Sequence, residues 1–152
     1  MADAAAHDGD HATATRALGA SQTAIERSGL APGESWASHF DIGRWAHHSG
    51  MILAQLGDFN GASEHLHQAL EIHGLDRRRS RAIVLADLGQ VQLRQGDPDA
   101  AFATWGDFVV CAEGIKSVKV HDAAQDMHAR LRLYESVAEA QELRDRAARL
   151  VL

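Results

Sequence analysis

Cysteine occurs once in 152 residues, at Cys111, so no intramolecular disulfide can form and the usage fits a reducing cytoplasm. Proline occurs twice, at Pro32 and Pro98, and both fall between apolar stretches where helices would end. Aromatic residues are only 5% while alanine is abundant, which suits closely packed helices better than sheets. Lysine is confined to Lys116 and Lys119; every other basic residue is arginine. Positive charge is in deficit, with a formal net charge of −6, and this argues against a module that binds nucleic acid directly. No run approaches the ~18 consecutive apolar residues of a membrane span. Met1 to Asp10 carries acids and no apolar run, unlike a secretory signal. The expectation is a cytoplasmic all-α domain with no membrane contact.

The chemistry of catalysis is missing as well. There is no Gly-x-Ser-x-Gly elbow, no phosphate-cradling glycine loop and no paired-carboxylate motif. Ten histidines are many for this length, but their spacing builds no metal site. His47 and His48 are adjacent and diverge by about 100° on a helix, and His65 and His67 diverge further. Only His7 and His11 stand four apart, with Gly9-Asp10 interrupting. Neither His-Glu-x-x-His nor Cys-x-x-Cys occurs. Cys111 lies near the end of an apolar helix face, where a buried and inert thiol is expected. The chain reads as a non-enzyme with no metal or cofactor.

What is present is helical periodicity from end to end. Asp10 to Ser28 sets Ala14, Leu18 and Ile25 on one face, and Gly29 to Ser35 reads as a loop. Trp36 to Leu56 carries Ile42, Trp45, Ile52 and Leu56; Gly57 ends it and Asp58 caps the next helix. That helix runs to about His73 with Ala62, Leu66 and Ala69 on its stripe. Another spans Ser80 to Gln95, and Gly96-Asp97-Pro98 is the sharpest boundary, with Pro98 in a first turn where no amide is needed. Ala101, Trp105, Phe108 and Ala112 follow as one face. Ala124, Met127, Leu131 and Tyr134 form another, and Ala140, Leu143, Ala147 and Leu150 close the chain. This makes about seven helices.

Two of these segments repeat at a spacing of 39 residues, Gly50 to Gly89. Gly50 precedes Gly57-Asp58 as Gly89 precedes Gly96-Asp97; Ala62 matches Ala101, and Leu66 matches Trp105. A weaker copy opens the chain at Gly9-Asp10, and a degenerate one closes it, with Glu135-Ser136 where a third Gly-Asp would fall. Self-similarity at such a period marks stacked helix pairs, none of which can bury its apolar face alone. The expected organisation is a single domain over 1–152. It holds a partial repeat (1–28), two full ones (36–74 and 80–114) and a degenerate cap (118–152).

The glycine within the first helix, the Gly-Asp turn, and the small–bulky–small series along the second resemble the tetratricopeptide repeat. A HEAT-like helical repeat, with a period of about 40 residues, is the rival. The tetratricopeptide resemblance implies a right-handed solenoid of antiparallel helix pairs that binds proteins or peptides. Arg79 to Gly89, followed by Leu93 to Asp97, is also similar to the C-terminal half of actinobacterial regulators that carry a Cro/repressor-type helix-turn-helix. That similarity implies a setting in bacterial transcription regulation. With no room for a DNA-reading domain ahead of Met1, the expectation is either the regulatory half alone or a free-standing relative, and DNA binding is not carried over.

In such a solenoid the first helix of each pair lines the concave face. Counting from the core glycines, the groove would present Arg44, His47, Met51 and Gln55 from one helix. The next would give Ile83, Ala86, Gln90 and Arg94, and the last Asp122, Gln125, Ala129 and Arg132. Amide and guanidinium donors around apolar patches suit an extended peptide or a helix. The lysine–asparagine clamp for acidic chaperone tails is absent from these positions. Arg77, Arg78, Arg79 and Arg81 form a basic run at a helix start, read as a solvated link tied to acids such as Asp76, or else a contact for an acidic partner. The leading helix lacks a full partner before it, which points to association through the N-terminal end, as a homodimer or with another chain. Two further function classes stay open: a self-assembling scaffold, and a small-molecule sensor with a pocket between first helices.

Overall fold

The computed structural model of the chain describes residues 36–73 and 77–151, with side chains from 42–73 and 77–150. Six α-helices follow one another among them: α1 (Trp36–Gln55), α2 (Phe59–Ile72), α3 (Arg78–Arg94), α4 (Pro98–Ala112), α5 (Val118–Leu131) and α6 (Ala138–Val151). One 3-10 turn, Arg132–Tyr134, stands between the last two. The fold is all-α, with α1–α2, α3–α4 and α5–α6 packed as antiparallel pairs. The helix expected from Asp10 to Ser28, and any association it supports, lies outside the described residues. The chain divides into two compact units, the first ending at His73.

Each Gly-Asp pair ends one helix and starts another by local hydrogen bonding. Gly57 has φ of 84° and Gly96 of 81°, the left-handed region that side chains disfavour. With that backbone, the Asp58 amide donates to Leu53 O at 2.9 Å and the Gly57 amide to Ala54 O at 3.1 Å. The second turn repeats this, Asp97 to Gln92 O and Gly96 to Leu93 O, each at 3.0 Å. Both are Schellman closures, which satisfy carbonyls that a helix end would leave bare. The same aspartates then cap the next helix: Asp58 Oδ1 accepts from Gly61 N at 2.9 Å, and Asp97 Oδ1 from Ala100 N at 3.1 Å. Where Glu135 replaces the glycine, no left-handed residue is available. The chain leaves α5 through the 3-10 turn instead, with Val137 N bonded to Tyr134 O at 2.9 Å.

In the first unit, α1 and α2 meet at small residues. A Cβ added to Gly50 would lie 3.0 Å from Leu66 Cγ and 3.1 Å from Ala62 O, so this glycine marks the helix contact. Nearer the open end of the pair, an added Cβ on Gly43 would stand 2.5 Å from Cε1 of His73, whose ring is buried at the C-cap of α2. His65 packs against Trp45 with ring centroids 5.7 Å apart.

In the second unit the corresponding contact is larger. Trp105 is fully buried, and its Nε1 donates to Ala86 O at 3.1 Å. The indole therefore lies across the Ala86–Gly89 turn of α3, and a side chain on Gly89 would enter the ring. Burying one such aromatic stabilises the fold by about 2–3 kcal/mol. Beside it Thr104 Oγ1 donates to Gln92 Oε1 at 2.6 Å, a buried pair that leaves neither group bare. The α5–α6 pair packs on α3–α4, first helix against first and second against second. Phe102 of α4 meets Tyr134 edge-on at 5.3 Å, which anchors the 3-10 turn.

α3 begins at Arg78, two residues ahead of the expected Ser80, inside the arginine run. Two residues of the run bond neighbouring helix ends. Arg78 donates through Nη2 to Cys111 O at 3.0 Å and Glu113 O at 2.6 Å, at the end of α4. Arg79 Nε donates to Ser117 Oγ at 3.1 Å, at the start of α5. Positive charge at a helix start opposes the dipole by a few tenths to ~1 kcal/mol. Here charge-assisted bonds to the neighbouring helix end offset that cost.

Candidate functional site

On α1, Arg44, His47, Met51 and Gln55 share a stripe at spacings of three and four residues. Arg44 and Gln55 are exposed, and His47 and Met51 are half-buried. The opposite side holds Ala46, Ser49, Gly50 and Leu53, all buried. This stripe belongs to the first unit and is a surface of its own.

The second unit brings two stripes together, because α3 and α5 are neighbours. On α5, Asp122, Gln125 and Ala129 are exposed, as is Arg132 in the turn that follows; the core side carries Val120, Ala124, Met127 and Leu131. On α3, Arg94 is exposed in the last turn, while Ile83 and Gln90 are half-buried. Ala86 does not join them. It is buried under the Trp105 indole, with its carbonyl taken by the ring nitrogen. The half-buried Asp87 stands in its place, giving a stripe of Ile83, Asp87, Gln90 and Arg94.

Gln90 also has a fixed partner. Its Nε2 donates to Asp126 Oδ2 at 2.7 Å, and Arg130 Nε donates to the same oxygen at 2.8 Å. Asp126 and Arg130 escaped the sequence reading, although an acid four residues before an arginine is a recognisable helix pair. Together these groups offer donors and acceptors of both signs across two adjacent helices. Such a face can bond the amides and carbonyls of an extended chain and pair with charges on it.

The α2 histidines are spent on local contacts. His67 Nδ1 donates to Ser63 O at 2.8 Å, His65 Nδ1 to Gly61 O at 3.0 Å, and His73 packs on Gly43. Among the described residues no group of three His, Cys, Asp or Glu side chains converges to hold a metal ion. None of the described helices is long and apolar enough to cross a membrane.

Cys111 is half-buried, less enclosed than the sequence suggested, and borders a cleft of about 400 Å³ with Arg78, Arg81, Leu85, Asp107 and Val110. Its Sγ donates to Arg78 O at 3.2 Å. Burial pushes the thiol pKa up and Asp107 adds to that, against the opposing pull of Arg78 and Arg81.

Residues 41–104 match the tetratricopeptide-repeat family. The matched segment, less than half of the chain, takes in both Gly-Asp turns and the Gly50–Leu66 contact, and it ends one residue short of Trp105. Such repeats build protein-interaction modules and are typically non-catalytic. No curated protein and no solved structure matches the chain.

Proposed function

We propose that the chain is a protein-binding module that receives an extended peptide along the α3–α5 surface of its second unit. The observation that carries this reading is the band of hydrogen-bonding side chains across two adjacent helices: Asp87, Gln90 and Arg94 beside Asp122, Gln125, Asp126 and Arg132. A second peptide-binding stripe is assigned to Arg44, His47, Met51 and Gln55. A cytoplasmic setting within a bacterial transcription-regulator system is part of the proposal, supported by the likeness of residues 79–97 to such regulators. No direct contact with nucleic acid belongs to it.

The test begins with peptides selected from a random library on the full chain. Their affinities are then measured for the parent and for an Arg94→Ala/Arg132→Ala variant. Binding should weaken about tenfold or more, a loss of about 1.4 kcal/mol, while the melting temperature stays in place. Unchanged affinity for every selected peptide would move the binding surface elsewhere.

A further inference from the structure

The loop between α4 and α5 closes a notch of about 240 Å³ in the second unit, apart from the α3–α5 surface proposed for peptide. Three positively chargeable side chains line it from three segments: Lys116 from the loop, His121 from α5 and Arg149 from the last turn of α6. No carboxylate is among the described residues that line it. In a protein of net charge −6 this is a local inversion.

Some of the polar groups around the notch have partners of their own. The carbonyls at the end of α4 are bonded by Arg78. Asp122, beside His121 at 4.0 Å, stands outside the lining and is exposed. Ser117, also in the lining, accepts from Arg79 Nε and makes no capping bond to α5, and its hydroxyl can still donate. Val120 and Leu150 supply an apolar wall. Like charges gathered around a concave space repel one another, and an anion placed among them converts that repulsion into attraction. A guanidinium, an ammonium and a hydroxyl are donors suited to tetrahedral oxyanions.

We propose that this notch binds a phosphate group, either as free phosphate or carried on a small molecule, with Lys116 and Arg149 as the principal ligands. The test is a two-dimensional amide NMR titration of the full chain with inorganic phosphate at constant ionic strength, chloride making up the balance. Saturable shifts are expected for the amides of 116–121, with none for chloride alone. A Lys116→Gln/Arg149→Gln variant, altered only at exposed positions, should keep the parent spectrum elsewhere and bind phosphate about tenfold or more weakly. A parallel titration with phosphoserine separates the sources, since tighter binding than inorganic phosphate favours a carried group and equal or weaker binding the free ion. Linear, unsaturable shifts, or saturable shifts that survive unchanged in the double variant, would overturn the site.

Discussion

In the α1–α2 pair Leu66 rests on Gly50, and one period later Trp105 rests on Gly89. The exchange runs the other way toward the open ends, where His73 covers Gly43 in the first pair and the corresponding residues are the buried alanines Ala112 and Ala82. Both pairs keep the Gly-Asp turn and the small residues Ala62 and Ala101, each with no exposure. Bulk has therefore moved along the pair while the turn that sets its geometry has stayed. A repeat conserves close approach at particular sites, and the neighbouring volumes are free to trade as long as each knob keeps its hole.

The sharpest way to break the comparison is to fill the two holes. Gly89→Ala gains up to ~1 kcal/mol of helix propensity, but it pushes a methyl into a rigid, fully buried indole, and overpacking of ~1–3 kcal/mol should win. Gly50→Ala meets Leu66 Cγ at 3.0 Å and the Ala62 carbonyl at 3.1 Å, a milder overlap than at Gly89 that the gain in helix propensity can offset, so its net effect should stay within about 1 kcal/mol of zero. Urea unfolding of both variants checks this, and equal losses would mean that the two contacts are equally crowded. Trp105→Leu, which copies the first pair's knob into the second, should cost ~2–4 kcal/mol alone. Combined with Gly89→Ala, it should lose less than the sum by ~1 kcal/mol or more, because the new methyl enters the space the indole left.

A smaller effect is expected at the open end. Gly43→Ala should destabilise the first pair by about 1–2 kcal/mol through the His73 ring. Adding His73→Ala turns that end into a copy of Ala82 with Ala112, and the double variant should fall short of additivity by about 1 kcal/mol. Strict additivity in thermal melts would show that the two residues do not share one space.

The weakest contrast is chemical. The first pair has no cysteine, and the second has a thiol held above its ordinary pKa. Alkylation of Cys111 by iodoacetamide should rise with pH to a midpoint above that of a free thiol. In Arg81→Ala the midpoint should climb further, because a charge favouring the thiolate is gone. Because the folded-state pKa is raised, the protonated thiol's contribution to stability is present below the unfolded pKa and fades as pH rises through the folded value. A midpoint at or below that of a free thiol would contradict the burial of the sulfur.

The Gly-Asp turns were legible in the sequence because their chemistry is local: a left-handed glycine followed by a capping acid needs no distant partner. The α1 stripe was legible too, since it follows helical period from Gly50. What escaped was set by register between helices. Ala86 was assigned to the groove by counting along α3, whereas the reach of a tryptophan nineteen residues on covers it. Asp126 became visible once α5 lay beside Gln90. The role of Arg78 was not legible because it bonds backbone carbonyls, which no side-chain pattern marks.

Both Gly-Asp turns settle their hydrogen bonds with residues three to five positions away, so neither junction depends on which helix pair stands next to it. A segment cut at Asp58 and Asp97 therefore carries matching ends. Inserting or deleting one such segment leaves every cap and closure at the seam intact, and what changes is which buried knob, Leu66 or Trp105, meets which glycine. Chain length in a gene of this kind can change by whole units through unequal recombination, without a new turn having to evolve.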